Sequence, residues 1–178
     1  MRGEEHGTAI AIEEDFRNGG KRNLMAYPFK KILCPLDFDE NSIAALDAAA
    51  EMARESDATV EVLHVVPIII QAGGTPIYID AYTAEEQDSQ AKLVELAKTH
   101  LAGVKYELKT TVAQPSAAIL HAQKTTGADV IVMNTHGRRG LAHLFLGSVA
   151  ERVVREAQCP VLTIRGPHAA QQPATEHA

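Results

Sequence analysis

The stretch VIVMNTHGRRG at residues 130–140, followed by LGSVAER at residues 146–152, decides how this chain folds. Val130–Met133 is an apolar run typical of a buried strand, and the seven residues after it include two glycines. Ser148 then opens a pattern typical of a helix. A buried strand, a glycine-rich bend and a helix in this order present backbone N–H groups to an anion. The sequence therefore predicts phosphate binding at this bend.

The composition limits the class of protein. The chain has 178 residues, of which 46% are hydrophobic and 22% charged, which fits one globular domain. Its formal net charge is -6, and basic residues adjoin only in pairs, which argues against a nucleic-acid partner. No apolar run reaches the roughly 18 residues of a membrane helix, and the acidic N-terminus lacks a signal-peptide pattern. We therefore expect a cytoplasmic protein with no membrane partner.

The cysteines and histidines do not suggest redox or metal chemistry. Cys34 lies in an apolar run and Cys159 precedes a proline, with no CxxC spacing, so both are expected to be reduced and buried. His64 lies within a predicted strand and is expected to be a core residue with its hydrogen bonds satisfied. Because neither His64 nor His136 has a second ligand at metal-binding spacing, no metal site is predicted.

The domain is expected to occupy residues 29–166. Residues 1–28 show no sustained period, which predicts a flexible N-terminal extension, and the composition of residues 167–178 predicts a disordered tail.

The domain starts with a strand that leads into a helix. Ile32–Cys34 is continuously apolar, as expected of a buried strand. Asp37, Asp39 and Asn41 follow, and their side chains are acceptors suited to the free N–H groups of a helix start. The 3, 4, 3 spacing of Ile43, Leu46, Ala50 and Ala53 predicts one buried stripe on that helix.

The next segments continue the alternation. Val60–Val66 is rich in β-branched residues, as expected for a strand covered on both faces. Ile68–Tyr82 is broken by glycine and proline, which predicts a long connecting loop. Thr83 and Glu86 form a T-x-x-E capping box, which predicts the start of the second helix. The buried face of that helix is expected to contain Val94, Ala97 and Leu101.

Strict alternation in Lys105–Val112 predicts a strand with one solvated face at an edge of the sheet. Pro115 suits the first position of a third helix, which is expected to end at Gly127. Ser148 and Glu151 form an S-x-x-E capping box for the fourth helix, with Val149, Val153 and Ala157 facing inward. Val161–Ile164 is the last strand. Five strands alternating with four helices predict a doubly wound, parallel α/β sheet with right-handed crossovers.

The ordered set of motifs resembles the universal stress proteins. The resemblance runs from Phe29 to Arg165 and rests on KKILCPLDF at residues 30–38, VLHVV at residues 62–66, the bend and helix quoted above, and CPVL at residues 159–162. It implies a Rossmann-like sheet of order 3-2-1-4-5, similar to the adenine nucleotide alpha hydrolases. It also implies a homodimer formed through the last strand, Val161–Ile164.

Members of the ATP-binding branch of this family carry G-x-x-G, nine residues, then G-S/T. In this chain the pattern falls on Asn134, Gly137 and Gly147-Ser148, with nine residues between the two glycines and asparagine at the first position. Glycine at such a bend allows either a positive φ angle or the close approach of a ligand to the backbone. Asparagine tolerates the left-handed region better than most residues, so only the close-approach role is lost. Its amide would either crowd the nucleotide or hydrogen-bond the ribose.

The resemblance implies that ATP binds between the first and fourth strands, with Mg or Mn carried by its phosphates. Asp37 and Val65 would face the adenine and ribose, Pro35 and Leu36 would line the pocket, and Ser148 would contact a phosphate. The implied binding residues are Pro35, Leu36, Asp37, Val65, Ala113, Met133, Asn134, His136, Gly137, Arg138, Gly140, Gly147, Ser148 and Val149. Structural alternatives remain for several of them: Asp37 and Ser148 as helix caps, Val65 as core, and Arg138 as a solvated loop residue.

The motifs of common nucleotide-processing enzymes are missing from the sequence. It has no G-x-x-x-x-G-K-S/T loop, no G-x-G-x-x-G after the first strand and no S-G-G-x-D-S stretch. The leading hypothesis is therefore an ATP-binding regulatory protein of the stress response that acts through an unknown protein partner and is not an enzyme. One alternative is a nucleotide-free interaction module in which Asn134 fills the phosphate space. The other is a slow ATP-hydrolysing enzyme.

Overall fold

The computed structural model of the chain describes residues 28–68, 79–134 and 147–164. Within these ranges strands and helices alternate: β1 (Lys31–Leu36), α1 (Glu40–Ser56), β2 (Thr59–Pro67), α2 (Ile79–His100), β3 (Lys105–Ala113), α3 (Pro115–Thr126), β4 (Val130–Asn134), α4 (Ser148–Glu156) and β5 (Val161–Ile164). The predicted tail, and the predicted extension except for its last residue, lie outside the described residues. No helix in the described part of the chain combines the length and hydropathy needed to cross a membrane.

All five strands pair in parallel in the order β3-β2-β1-β4-β5, which confirms the predicted class and order. The chain moves outward from β1 to β3 and then returns to β4 on the other side of β1. The strand order therefore reverses between β1 and β4. In open α/β sheets, ligands bind at the carboxyl ends of the strands that flank such a reversal.

Helices cover both faces of the sheet and divide the core in two. On one face α1 and α2 pack over alternate residues of the central strands, including Ile32, Val62 and Val132. On the other face α3 and α4 pack over the strand residues that alternate with these, including Leu33 and Ile131. Burial on both faces explains why these strands are continuously apolar, as the sequence indicated.

The outer strand β3 has a different environment. Lys105, Glu107 and Lys109 are exposed, whereas Leu108 is partly buried against the core. Within the part of the chain that the structure describes, β3 pairs with β2 only, so its other side is an edge of the sheet. The edge position predicted from the alternation is confirmed.

One carboxylate is completely buried beside this edge. Glu61 on β2 has no exposed side-chain area, and its Oε1 lies 2.9 Å from Lys109 Nζ while its Oε2 lies 3.5 Å from Lys31 Nζ. The two lysines come from the strands on either side of β2. A buried charge requires such partners because removing it from water costs several kcal/mol.

Capping residues define the ends of two helices. Asp39 is the N-cap of α1 and accepts a hydrogen bond from the Asn41 backbone, so one of the three predicted acceptors is the cap itself. Pro115 occupies the first turn of α3, and Gly127 ends that helix with φ of 66°, as predicted. A left-handed residue at this position satisfies the last carbonyl groups of a helix at little cost for glycine.

The prediction for the start of α2 was wrong. The helix begins at Ile79, so the last residues of the predicted loop are helical and Thr83 lies inside the helix, where it cannot form a capping box. The rest of that loop lies outside the described residues. Val94 is 39% exposed, and the buried stripe runs through Leu93, Ala97 and Leu101 instead. Residues spaced by four lie on one face of a helix, and Val94 is turned by about 100° from Leu93.

Asp129 connects the starts of the two central strands. Its Oδ2 accepts hydrogen bonds from the backbone N–H groups of Lys30, at 2.7 Å, and Lys31, at 2.8 Å. The Asp129 backbone N–H donates in turn to the Lys31 carbonyl at 2.8 Å. Asp129, the residue immediately before β4, therefore fixes where β1 begins.

We expect Asp129→Ala to lower the free energy of unfolding by about 1–3 kcal/mol, because it leaves two backbone donors without their charged acceptor. Urea denaturation followed by circular dichroism measures this change. Asp88→Ala is the matched control, since it removes an exposed i,i+4 pair with Lys92 and should cost at most about 0.5 kcal/mol. Equal losses in the two variants would contradict the role given to Asp129.

Candidate functional site

The candidate site lies at the carboxyl edge of the sheet, where β1 and β4 are adjacent. Leu36 and Asn134 are the last residues of these strands. Continuing the pairing of Leu33 with Ile131 puts Leu36 level with Asn134. The structure therefore brings the predicted residues of β1 and β4 to the same point of the strand reversal.

Strand alternation divides the predicted site residues between the two faces of the sheet. Met133 is buried, and Val65 and Val149 are partly buried, in the core cluster beneath α3 and α4. Pro35 and Ala113 share this face by register, because Pro35 pairs with Leu63 and Ala113 with Pro67. Leu36 lies instead in the core beneath α1 and α2. Its side chain contributes to that core rather than to the α4 side of the site.

Asn134, at the first position of the motif, is also on the α1 face. It alternates with Val130 and Val132, which pack beneath α1, and only 9% of its surface is exposed. Ser148, by contrast, begins a helix that packs on the opposite face. The asparagine side chain is thus directed away from the face on which α4 lies.

The start of α4 offers main-chain donors without a side-chain cap. Gly147 is the N-cap residue, and within the described residues no side chain accepts a hydrogen bond there. Ser148 is the first helical residue and is exposed. The predicted capping box of Ser148 with Glu151 was therefore wrong: a serine at the first helical position lies one residue too late to cap, and Glu151 pairs with Arg155 instead. The free N–H groups and the positive end of the helix dipole favour an anion at this point.

His136, Gly137, Arg138 and Gly140, the central residues of the predicted bend, lie outside the described residues. The described chain stops at Asn134 and resumes at Gly147.

The turn from β1 to α1 holds Asp37 through a set of short-range bonds. The Asp37 N–H donates to Ser42 Oγ at 3.4 Å, and Asp37 Oδ1 accepts from the Asp39 N–H at 3.3 Å. Ser42 Oγ donates to the Asp39 carbonyl at 2.9 Å. Asp37 is therefore not the N-cap of α1, and it is half-buried at the edge where the site lies.

Phe38, which the sequence analysis did not single out, has an unusual backbone in this turn. Its φ is 65°, in the left-handed region that costs a bulky residue about 1–3 kcal/mol. Its ring stacks on that of His64, with centroids 4.3 Å apart. His64 is 5% exposed, and the bond of its Nδ1 to the Leu36 carbonyl confirms the satisfied core histidine that was predicted. No glycine or asparagine marks position 38, so no sequence signal indicated the left-handed turn.

The two thiols are poorly suited to nucleophilic chemistry. Burial, with a smaller contribution from Asp47, raises the pKa of Cys34 to about 12, and burial raises that of Cys159 to about 11. The thiolate is the reactive form, so little of either residue is reactive near neutral pH. Across residues 28–68, 79–134 and 147–164, no three His, Cys, Asp or Glu residues are arranged to hold a metal ion.

The fold and the arrangement at its carboxyl edge define a class: a doubly wound, Rossmann-like α/β protein with an anion-favouring helix start beside its strand reversal. The model of the universal stress protein family matches residues 28–165. The chain therefore belongs to the universal stress protein family.

Individual relatives agree with this assignment. The chain is 33% identical over 144 residues to universal stress protein MJ0531 of Methanocaldococcus jannaschii, covering 78% of this chain and 84% of that protein. It is 33% identical over 147 residues to YxiE of Bacillus subtilis, covering 77% and 99%. Both relatives are named as stress proteins and not as enzymes.

The solved structure of MJ0577 from the same archaeon aligns with a TM-score of 0.64 at 26% identity, over 79% of this chain and 98% of that one. Structures of the same fold include a universal stress protein in complex with cAMP, with a TM-score of 0.59 at 21% identity over 78% of this chain and 98% of that one. Another is the Archaeoglobus fulgidus protein in complex with dAMP, with a TM-score of 0.56 at 24% identity over 79% and 100%.

Proposed function

We propose that this protein binds ATP and regulates a protein partner in the stress response. In this proposal the nucleoside of ATP lies near Asp37 and Val65, and its phosphates lie at the start of α4 with Mg or Mn attached to them. The binding set is the one that the family motif implies, including the residues of the bend. The protein acts in the cytoplasm through nucleotide-dependent contacts and not as an enzyme.

The main support for the proposal comes from the start of α4. Gly147 and the exposed Ser148 open a helix whose first N–H groups have no side-chain cap among the described residues. This helix start follows the bend from β4, at the strand reversal where ligands of such sheets bind. A phosphate supplies the acceptors and negative charge that these groups favour.

The position of Asn134 supports ATP binding over the nucleotide-free alternative. If the amide filled the phosphate space, it would have to lie beside the start of α4. It alternates instead with the residues beneath α1 and is almost fully buried there. The Asn134 side chain therefore does not lie on the α4 side of the crevice.

Adding MgATP at about one hundred times its dissociation constant should stabilise the protein by ~2.7 kcal/mol, which raises the melting temperature by roughly 5–11 °C. Differential scanning fluorimetry measures the shift. Asp37→Ala should reduce it strongly, whereas Asp88→Ala, an exposed change on α2, should leave it intact. A melting temperature unmoved by millimolar ATP would refute the proposal.

The nucleotide content of freshly purified, denatured protein separates the three hypotheses. Release of ATP supports the proposed function. Release of ADP together with turnover supports the slow ATP-hydrolysing enzyme. Protein free of nucleotide, with no thermal shift, supports the interaction module.

Asn134→Gly tests the departure from the motif. Because the asparagine is directed toward α1, we expect this variant to change the ATP dissociation constant by less than about threefold. Isothermal titration calorimetry measures it. A gain of a hundredfold or more would mean that the amide obstructs the phosphates in the natural protein, which is what the interaction-module hypothesis requires.

We also propose that β5 (Val161–Ile164) forms a homodimer interface. Among the described residues, β5 pairs only with β4 and so ends the sheet, and Leu162 on it is 41% exposed. An edge strand with an exposed apolar side chain is stabilised by pairing with a second copy.

Leu162→Arg should shift the protein from dimer to monomer, because two copies of the new charge would meet at a symmetric interface. Sedimentation velocity at several concentrations measures this. Tyr106→Arg is the matched control, since Tyr106 is 44% exposed on the opposite edge strand, β3. If Tyr106→Arg dissociates the dimer and Leu162→Arg does not, the interface is formed by β3 and the proposal is wrong.

A further inference from the structure

The turn that carries Asp37 is held in a conformation that its own sequence disfavours. Among the described residues, Phe38 and Asp57 are the non-glycine residues with positive φ. Asp57 ends α1, where a left-handed residue is common and aspartate tolerates it. Phe38 has no such role, and a bulky residue in this region persists only when its surroundings hold it there.

His64 supplies contacts on both sides of Asp37. Its Nδ1 lies 2.7 Å from the carbonyl oxygen of Leu36, and because a carbonyl only accepts, Nδ1 donates. Its ring stacks against Phe38 with an interplanar angle of 37°. One buried side chain thus contacts the residue before Asp37 and the residue after it.

Other contacts to Phe38 come from the second helix. Lys92 Nζ lies 5.9 Å from the centre of the Phe38 ring, and the ring borders a groove between α1 and α2. His64 lies on β2, between β3 and β1 in the sheet, so it connects the turn to the strand that pairs with β1.

We propose that His64 is a positioning residue for the nucleotide site. By holding the Leu36 carbonyl and the Phe38 ring, it sets the direction of the Asp37 carboxylate and the placing of the Asp39 and Asn41 N–H groups. The inference rests on the proposed ATP binding, to which it adds a residue that does not touch the ligand.

The test compares His64→Phe with Val62→Ala. His64→Phe keeps an aromatic ring but removes the donor to Leu36, whereas Val62→Ala perturbs the same buried face of β2 two residues earlier. We expect His64→Phe to weaken ATP binding about tenfold by calorimetry and Val62→Ala to leave it within about twofold. Unchanged binding in His64→Phe, or an equal loss in both variants, would overturn the inference.

A double variant shows whether His64 acts through Asp37. If it does, His64→Phe should cause no further loss of affinity in an Asp37→Ala background. A further tenfold loss there would mean that His64 acts by another route.

If His64→Phe does not fold, Phe38→Ala replaces it in these tests. Phe38→Ala removes the ring contact with His64 at a partly buried position, and we expect the same results from it.

Hydrogen exchange separates this inference from the proposed function. The Asp39 and Asn41 N–H groups donate within the turn, so their exchange should be about tenfold faster in His64→Phe and unchanged in Val62→Ala. If the natural protein binds no ATP, the proposed function fails and exchange alone decides whether His64 positions the turn. Unchanged exchange in His64→Phe would refute the positioning role whether or not ATP binds.

Discussion

The parallel pairing of β1 with β2 on one side and β4 on the other is the constraint on which the rest of the structure depends. It places β1 at the centre of the sheet, buries it beneath helices on both faces, and creates the strand reversal. Asp129 fixes the start of this pairing by binding the first N–H groups of β1. Because parallel strands end at a common edge, fixing the start of β1 also sets where β1 and β4 end, at Leu36 and Asn134.

The chemistry of the candidate site comes mainly from the main chain. The start of α4 provides main-chain donors, and the turn after β1 provides an ordered carboxylate. The shifted thiol pKa values belong to Cys34 and Cys159, whose shifts come chiefly from burial. Main-chain donors at a helix start favour an anionic ligand.

Sequence patterns predicted well wherever one local rule decided the structure. Pro115 and Gly127 mark the ends of α3, alternation marks β3 as an edge, and apolar runs mark β1 and β4. They failed where two local rules competed. The capping box at Thr83 has the right residues, yet the helix already begins four residues earlier, at Ile79. Ser148 likewise has the right partner at Glu151, but Gly147 takes the cap position.

The sequence by itself determined the alternation of strands and helices, because this follows from local periodicity. Its motifs determined the resemblance to the family, and the strand order was inferred from that resemblance. Tertiary structure alone decided the orientation of Asn134, the burial of Glu61 between two lysines, and the left-handed turn at Phe38. These depend on which face of the sheet a side chain occupies and on partners distant in the chain. His64 shows the difference most clearly, since its neighbours Leu36 and Phe38 become adjacent to it only when β1 and β2 pair.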